Sequence, residues 1–356
     1  MKPRLTHKER VKLSIAHKEP DRIPVAMVCS VINKPAYKNL EEYLKKTRSI
    51  GVEEYLEPVI DIKGVAPVYI GPKLEPGFDY WGVKREFMTF GEDGYQEITK
   101  SPLLEISSID QLKKYPWPSP DWFDFKTVLE QITKINSKEE FGIIAGPGNI
   151  FESSWYMRGF EQSFMDMVLN PEILHFIMDK AANFYIEYSN RFLSAGKGKI
   201  DLYFTADDLG GQQGLLLSAK MWEEFIKPYH VKLNKAIHNY GAKVIYHTDG
   251  AVMELVPGLM EMGIDVLQAL QFDAAGMDPL VLKEKYGNKL CFEGGISVQS
   301  TLPFGTAEDV KNETLERARV LGKNGGYLLG PSHCIQAGTP PENIIALFDT
   351  AQSIKY

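Results

Sequence analysis

Cysteine is scarce in this chain: three residues in 356, at Cys29, Cys291 and Cys334. So sparse and odd a set argues against a disulfide framework and fits a reducing compartment. No two are spaced C-x-x-C, so a closed structural zinc ribbon is excluded. Long apolar runs are missing too. None approaches a membrane span, and Met1–Thr6 begins a polar helix without the apolar stretch of a signal peptide. A cytoplasmic location, with no membrane partner, is the expectation. Positive charge is not in excess: 40 Lys and Arg stand against 47 Asp and Glu, for a formal net charge of −7. With no basic stripe, a nucleic-acid partner is not expected. No Gly-x-Gly-x-x-Gly opens a helix, which argues against a dinucleotide fold.

What is present is an ordinary globular composition, 44% hydrophobic and 24% charged. A chain of this length can bury a core without metal or disulfide. Thr6-His7-Lys8-Glu9 has capping-box spacing and predicts a helix to about residue 17. A strand is expected over 23–28 and a helix over 39–56. Residues 60–105, rich in Gly, Pro, Tyr and Phe, read as a β-rich insertion with hairpins near 82–87 and 94–99. A Pro-rich loop at 115–120 separates two short helices. From 141 onward strands and helices alternate: strands at 141–145, 202–206, 243–247, 265–270, 289–293 and 326–329, helices near 151–168, 171–195, 219–240, 252–262, 278–286, 307–323 and 341–353. With the first strand and one hidden in the β-rich stretch, about eight strand–helix units result. That predicts a single α/β domain over 1–356, a (β/α)8 TIM barrel with the 60–105 insertion. An open doubly wound sheet is the alternative. The aromatics of 59–123 and 151–160 read first as core.

In such sheets the reactive groups sit at the carboxyl ends of strands. Listing what ends each strand gives Asp207 and Asp208, then His247 and Asp249, Gln271, Glu293 and His333. Two histidines and a carboxylate, leaving an open position, make a catalytic metal site that suits Zn²⁺ and also Fe²⁺. His247, Asp249 and His333 are the candidate ligands. Asp207, Asp208 and Glu293 are the candidate acid/base groups, with Glu152, Gln271 and Cys334 as additional candidates. Each has a plainer competing role. Asp249 could cap the following helix, Asp207 and Asp208 could satisfy loop amides, Glu152 could pair with Arg158, and Cys334 could be an inert apolar residue.

These residues resemble the uroporphyrinogen decarboxylase superfamily. The resemblance runs from Glu9-Arg10-Val11 and Glu19-Pro20-Asp21-Arg22-Ile23-Pro24-Val25 through His247-Thr248-Asp249-Gly250, Gly294-Gly295-Ile296 and Gly325-Gly326-Tyr327 to Thr339-Pro340. It implies the (β/α)8 barrel, and either cofactor-free porphyrinogen decarboxylation or zinc-dependent methyl transfer with corrinoid proteins. The decarboxylases follow their first strand with an Arg-rich motif; here Met27–Asn33 holds no Arg. The methyltransferases use His-x-Cys-Gly and a Cys ahead of Thr-Pro. In this chain Asp249 and His333 stand at those thiolate positions.

The leading expectation is therefore a metal-dependent methyltransferase acting on a small methylated molecule, with the corrinoid supplied by a separate protein. A decarboxylase or other lyase, and a non-catalytic ligand-binding barrel, are the alternatives.

Overall fold

The computed structural model describes residues 4–90 and 93–356; Met1–Pro3, where the polar opening begins, lie outside the described residues. Seven parallel strands form one curled sheet: Ile62–Gly64, Gly142–Ala145, Leu202–Ala206, Lys243–His247, Val266–Gln268, Cys291–Ile296 and Tyr327–Pro331. Their spatial order is their sequence order, with no reversal. A doubly wound sheet needs a reversal, so that alternative is set aside. The strand hidden in the β-rich stretch is Ile62–Gly64, in register with Gly142–Ile144.

Val25 makes isolated parallel bridges to both Ile60 and Leu329, so a single residue touches both edges of the sheet. The strand expected over 23–28 is reduced to this bridge. Pro24 has no N–H to give a ladder, although its carbonyl still accepts from the Leu329 amide.

Two separate apolar clusters follow from the curl. The strands are buried on both faces, as parallel strands covered by helices must be. On the concave face every strand contributes to one cluster: Ile62, Ile144, Leu202, Ile245, Val266, Cys291 and Leu328, joined by Ala26 and Val28. Val11 and Ile15 of the helix His7–Ile15 join it. The convex face packs against the helices, the longest of which is Pro171–Ala195. The aromatics Tyr80, Trp81, Phe123, Phe184, Tyr185 and Tyr188 pack there edge to face as core. Among the described residues no helix is long and apolar enough to cross a membrane.

Three expected helices are interrupted, each for a local reason. The 39–56 helix is two, Lys34–Arg48 and Val52–Leu56, because Ser49 turns left-handed at φ 58. The 219–240 helix breaks into Ala219–Phe225 and Lys227–His238, with Pro228 in the first turn of the second. The 151–168 helix becomes Ile150–Arg158 and Phe160–Leu169, divided at Gly159 with φ 91. The capping box at Thr6 forms as expected, and the insertion holds a hairpin of Lys84–Phe90 with Asp93–Lys100.

The amino ends of the strands are closed by charge. Asp61, fully buried, accepts from His7 Nδ1 at 2.8 Å, Arg10 Nη1 at 2.6 Å, Arg22 Nη1 at 2.7 Å and the Val25 amide at 2.7 Å. Burial alone would raise its pKa, yet His7, Arg22 and Arg10 hold it below the ordinary value.

Candidate metal and acid/base site

The carboxyl ends of the strands carry the opposite arrangement. Side chains two apart on a strand share a face, so the residues above Ile245, Val266 and Cys291 also point inward. These are His247, Gln268 and Glu293. They form a polar layer just above the interior apolar cluster. Gln268 Nε2 donates to the Val28 carbonyl at 2.8 Å, which leaves its Oε1 to accept from His247 Nδ1 at 2.5 Å. That bond assigns the proton of the neutral imidazole to Nδ1 and leaves the Nε2 lone pair facing the mouth.

Around that lone pair the structure gathers what the sequence scattered. Asp208 Oδ1 lies 3.6 Å from His247 Nε2, and Asp249 Oδ1 lies 3.9 Å from it. The other oxygen of Asp249 is 3.7 Å from His333 Nε2, so this carboxylate stands between the two histidines. Asp249 Oδ1 is buried without a hydrogen-bond partner. Burial raises the Asp249 pKa, with Asp208 adding to the rise and His247 and His333 opposing it. Hydrogen bonding to Cys334 first, then the Asp249 charge, lifts His333 to about 9 against the effect of burial. An orphaned carboxylate oxygen and an open imidazole nitrogen at this spacing fit a divalent cation. Donors on a tetrahedral zinc stand ~3.3–3.8 Å apart, from bonds of ~2.0–2.3 Å. Two overlapping triads meet the requirement for neighbouring donor atoms: Cys29–His247–His333 and Asp208–His247–Asp249.

Asp249 does not cap the next helix: the turn Met253–Leu255 has Val252 at its cap and no side-chain cap bond. Asp249 is instead fixed through its backbone. Its amide donates to Asp208 Oδ1 at 3.1 Å, and the next amide, of Gly250, donates to Gln271 Oε1 at 2.9 Å. Gly250 has φ 81, and a Cβ there would lie 2.5 Å from Gly210 backbone, so the two loops can meet only through glycine. Gln271 thus positions the Asp249 loop. Glu152 does not pair with Arg158, whose Nε binds Asp166 at 2.6 Å and whose Nη1 binds the Leu103 and Ile106 carbonyls. Instead Asn149 Nδ2 donates to Glu152 Oε2 at 2.6 Å, and burial, then Asp208 and Asp207, push the Glu152 pKa up to about 8.

Asp207 sits apart from the mouth. It is fully buried, bonded to His230 Nε2 at 2.5 Å and to the amides of Phe151 and Glu152 at 2.9 and 2.7 Å. It holds the first turn of the helix that carries Glu152, and the loop-amide role falls to Asp208, whose Oδ1 accepts from the Asp249 amide. Glu293 is also fully buried, with Oε1 3.4 Å from the Val28 amide and Oε2 without a partner. Burial raises its pKa well above the ordinary value, which favours the protonated form beneath the site. The Cys334 thiol donates to the Cys29 carbonyl at 3.5 Å, and hydrogen bonding to His333 lowers its pKa.

Sequence reasoning missed Gln268, Cys29 and His230. Gln268 was within reach, being two residues beyond inward-facing Val266. Cys29 was not, because its strand is only a bridge.

Two cavities flank the histidines. One, of about 330 Å³, is lined by Met27, Val28, Cys29, Ile62, Val65, Ile144, Ala145 and Phe204 among others; one of about 390 Å³ includes Asp249, Gln271, Phe304 and His333. No Lys or Arg lines either.

The class is defined by comparison as well as geometry. The family profile described as Uroporphyrinogen decarboxylase (URO-D) matches residues 87–354, and the chain belongs to that family. A uroporphyrinogen decarboxylase of Geobacter metallireducens is 25% identical over 93% of this chain and 94% of its own length. A methylated-thiol–coenzyme M methyltransferase of Methanosarcina mazei is 29% identical over 55% of this chain, an alignment spanning 49% of that protein. A solved methyltransferase from Methanosarcina mazei shares the fold, with TM-score 0.71 at 19% identity, over 98% of this chain and 99% of the other. The relatives are thus decarboxylases or methyltransferases, and the fold is α/β with a curled parallel sheet.

Proposed function

We propose that this chain is a metal-dependent methyltransferase, a single closed (β/α)8 barrel over 1–356, that moves a methyl group between a small O-, N- or S-methyl compound and a corrinoid carried by a separate protein. Closure is supported by Val25 bridging both sheet edges and by the separate interior cluster. The observation that carries the functional reading is the His247 Nε2 lone pair, held open by Gln268 among Asp208, Asp249 and His333. His247, Asp249 and His333 are the residues that would hold the metal. Zinc there would supply Lewis acidity toward the heteroatom of the methyl compound, and the same donors suit Fe²⁺.

The chain's own residues do the rest. Gln268 fixes the His247 ring. Glu152, protonated at neutral pH, is placed to give a proton to a departing oxygen or nitrogen, and Asp208 lies beside it to receive one. Glu293, its carboxyl pKa raised by burial, lies beneath the site, and Asp207 keeps the Glu152 helix in place. The cavity beside Phe204, with its mostly apolar walls, suits the body of a small neutral molecule.

Metal analysis of protein purified from metal-replete medium tests this. About one metal per chain is expected, lost in His247→Ala with the fold intact. A metal-free wild type with a well-folded site would overturn the reading.

Porphyrinogen decarboxylation is favoured by the full-length relative of that name. Against it, no guanidinium lines either cavity, and a polycarboxylate needs such partners. Arg85, at the edge of this region over the Tyr156 ring, is paired with Asp79. Tight binding of a porphyrinogen with release of CO₂ would establish the decarboxylase instead.

A further inference from the structure

We propose that Cys29 supplies a thiolate ligand to the metal, forming a Cys29–His247–His333 set in which Asp249 holds the fourth position only until substrate displaces it. This rests on the metal reading above and names a ligand that no motif in the chain announces. The Cys29 sulfur and the ligand nitrogens of His247 and His333 all lie within 4.8 Å of one another. Reaching the ~3.3–3.8 Å of a tetrahedral zinc then needs shifts on the order of ~1 Å, from a side chain with one rotatable bond.

The backbone keeps Cys29 there at a cost. Its φ is 53, a left-handed conformation that glycine adopts freely and cysteine does not. The loop that carries it is tied to the loop that carries His333. The Ile335 amide donates to the Val31 carbonyl, the Asn33 amide to the Ile335 carbonyl, and Ser30 Oγ to the Pro331 carbonyl. The two donors are therefore set by one small paired unit. Cys334, next to His333 in sequence, is in neither triad; its thiol is spent on the Cys29 carbonyl.

The donor chemistry agrees. Cysteine and histidine suit zinc better than a set built from carboxylates, and the His-x-Asp segment offers no sulfur of its own. On binding, the thiol gives up its proton to solvent as the metal–sulfur bond forms.

The test uses full-length protein stripped of metal and reloaded with Co²⁺. Wild type and Cys334→Ser should show a near-ultraviolet sulfur-to-cobalt charge-transfer band. Cys29→Ser should lose that band while visible d–d bands show cobalt still bound. Zinc affinity, by competition with a chromophoric chelator, should fall at least ~10–100-fold, the loss typical even of an outer-shell partner. Cys29→Gly separates ligation from backbone structure: it should fold at least as stably as wild type and still lose the band. Cobalt bound to wild type without a sulfur band, or a band surviving in Cys29→Ser or Cys29→Gly, overturns the Cys29 assignment alone. A wild type that takes up no cobalt overturns the metal site and this ligand with it.

Discussion

The two ends of the same parallel sheet handle charge in opposite ways. At the amino end, Asp61 is fully buried and bonded to His7, Arg10, Arg22 and the Val25 amide. At the carboxyl end, Asp208 and Asp249 crowd His247 at 3.6 and 3.9 Å, and Asp249 Oδ1 has no partner. The first end is saturated with hydrogen bonds, and the second keeps an unpaired acceptor. Buried polar groups that are fully paired rigidify a structure, whereas unpaired ones cost free energy. The unpaired carboxylate oxygen at the mouth therefore costs stability there.

The largest effect is expected at the saturated end. Asp61→Ala takes the shared carboxylate from buried Arg10 and half-buried Arg22 and strands the Val25 amide, and should destabilise by about 3–5 kcal/mol in chemical denaturation. The metal content of the folded fraction should not change. A loss under ~1 kcal/mol would show that the base network is not structural. The pH dependence has a defined sign. The folded Asp61 pKa lies below its ordinary 3.8, so its contribution is complete above 3.8 and declines as pH falls toward the folded value. Stability of wild type should fall over that acid window, and Asp61→Asn should not show that part of the fall. Denaturation midpoints measured against pH for both proteins decide it.

A smaller effect is expected at Asp207, which belongs to the base in behaviour although it sits among the mouth residues in sequence. Asp207→Ala strands two amides and His230, and should cost about 1–3 kcal/mol with metal content unchanged. Loss of metal with unchanged stability would return Asp207 to the site. The smallest change should come from Asp208→Asn. Removing one charge from an unsatisfied cluster should leave the melting of metal-free protein within ~1 kcal/mol of wild type, or raise it slightly. A large drop there would mean that the mouth too is scaffold.

Legibility followed the range of the forces involved. The capping box at Thr6, the strands at 202–206 and 243–247, and the hairpin near 84–100 depend on neighbours in sequence, and all were readable. Helix breaks at Ser49 and Gly159 were not, because a left-handed residue has no periodic signature. Strand 291–296 runs past the expected 293, and the 265–270 strand shrinks to Val266–Gln268. Partner strands set those ends.

The sequence by itself determined the alternation of strands and helices, and with it the end of the sheet at which Asp208, His247, Asp249 and His333 would appear. A strand's carboxyl end is a local property, fixed by the apolar run and the turn that follows it. Only the tertiary structure decided which of those groups face one another. It turned Asp207 inward to His230, set Gln268 against His247, and drew Cys29 beside residues more than two hundred positions away. Those pairings depend on the curl of the sheet and on backbone contacts between distant loops, which no local pattern encodes.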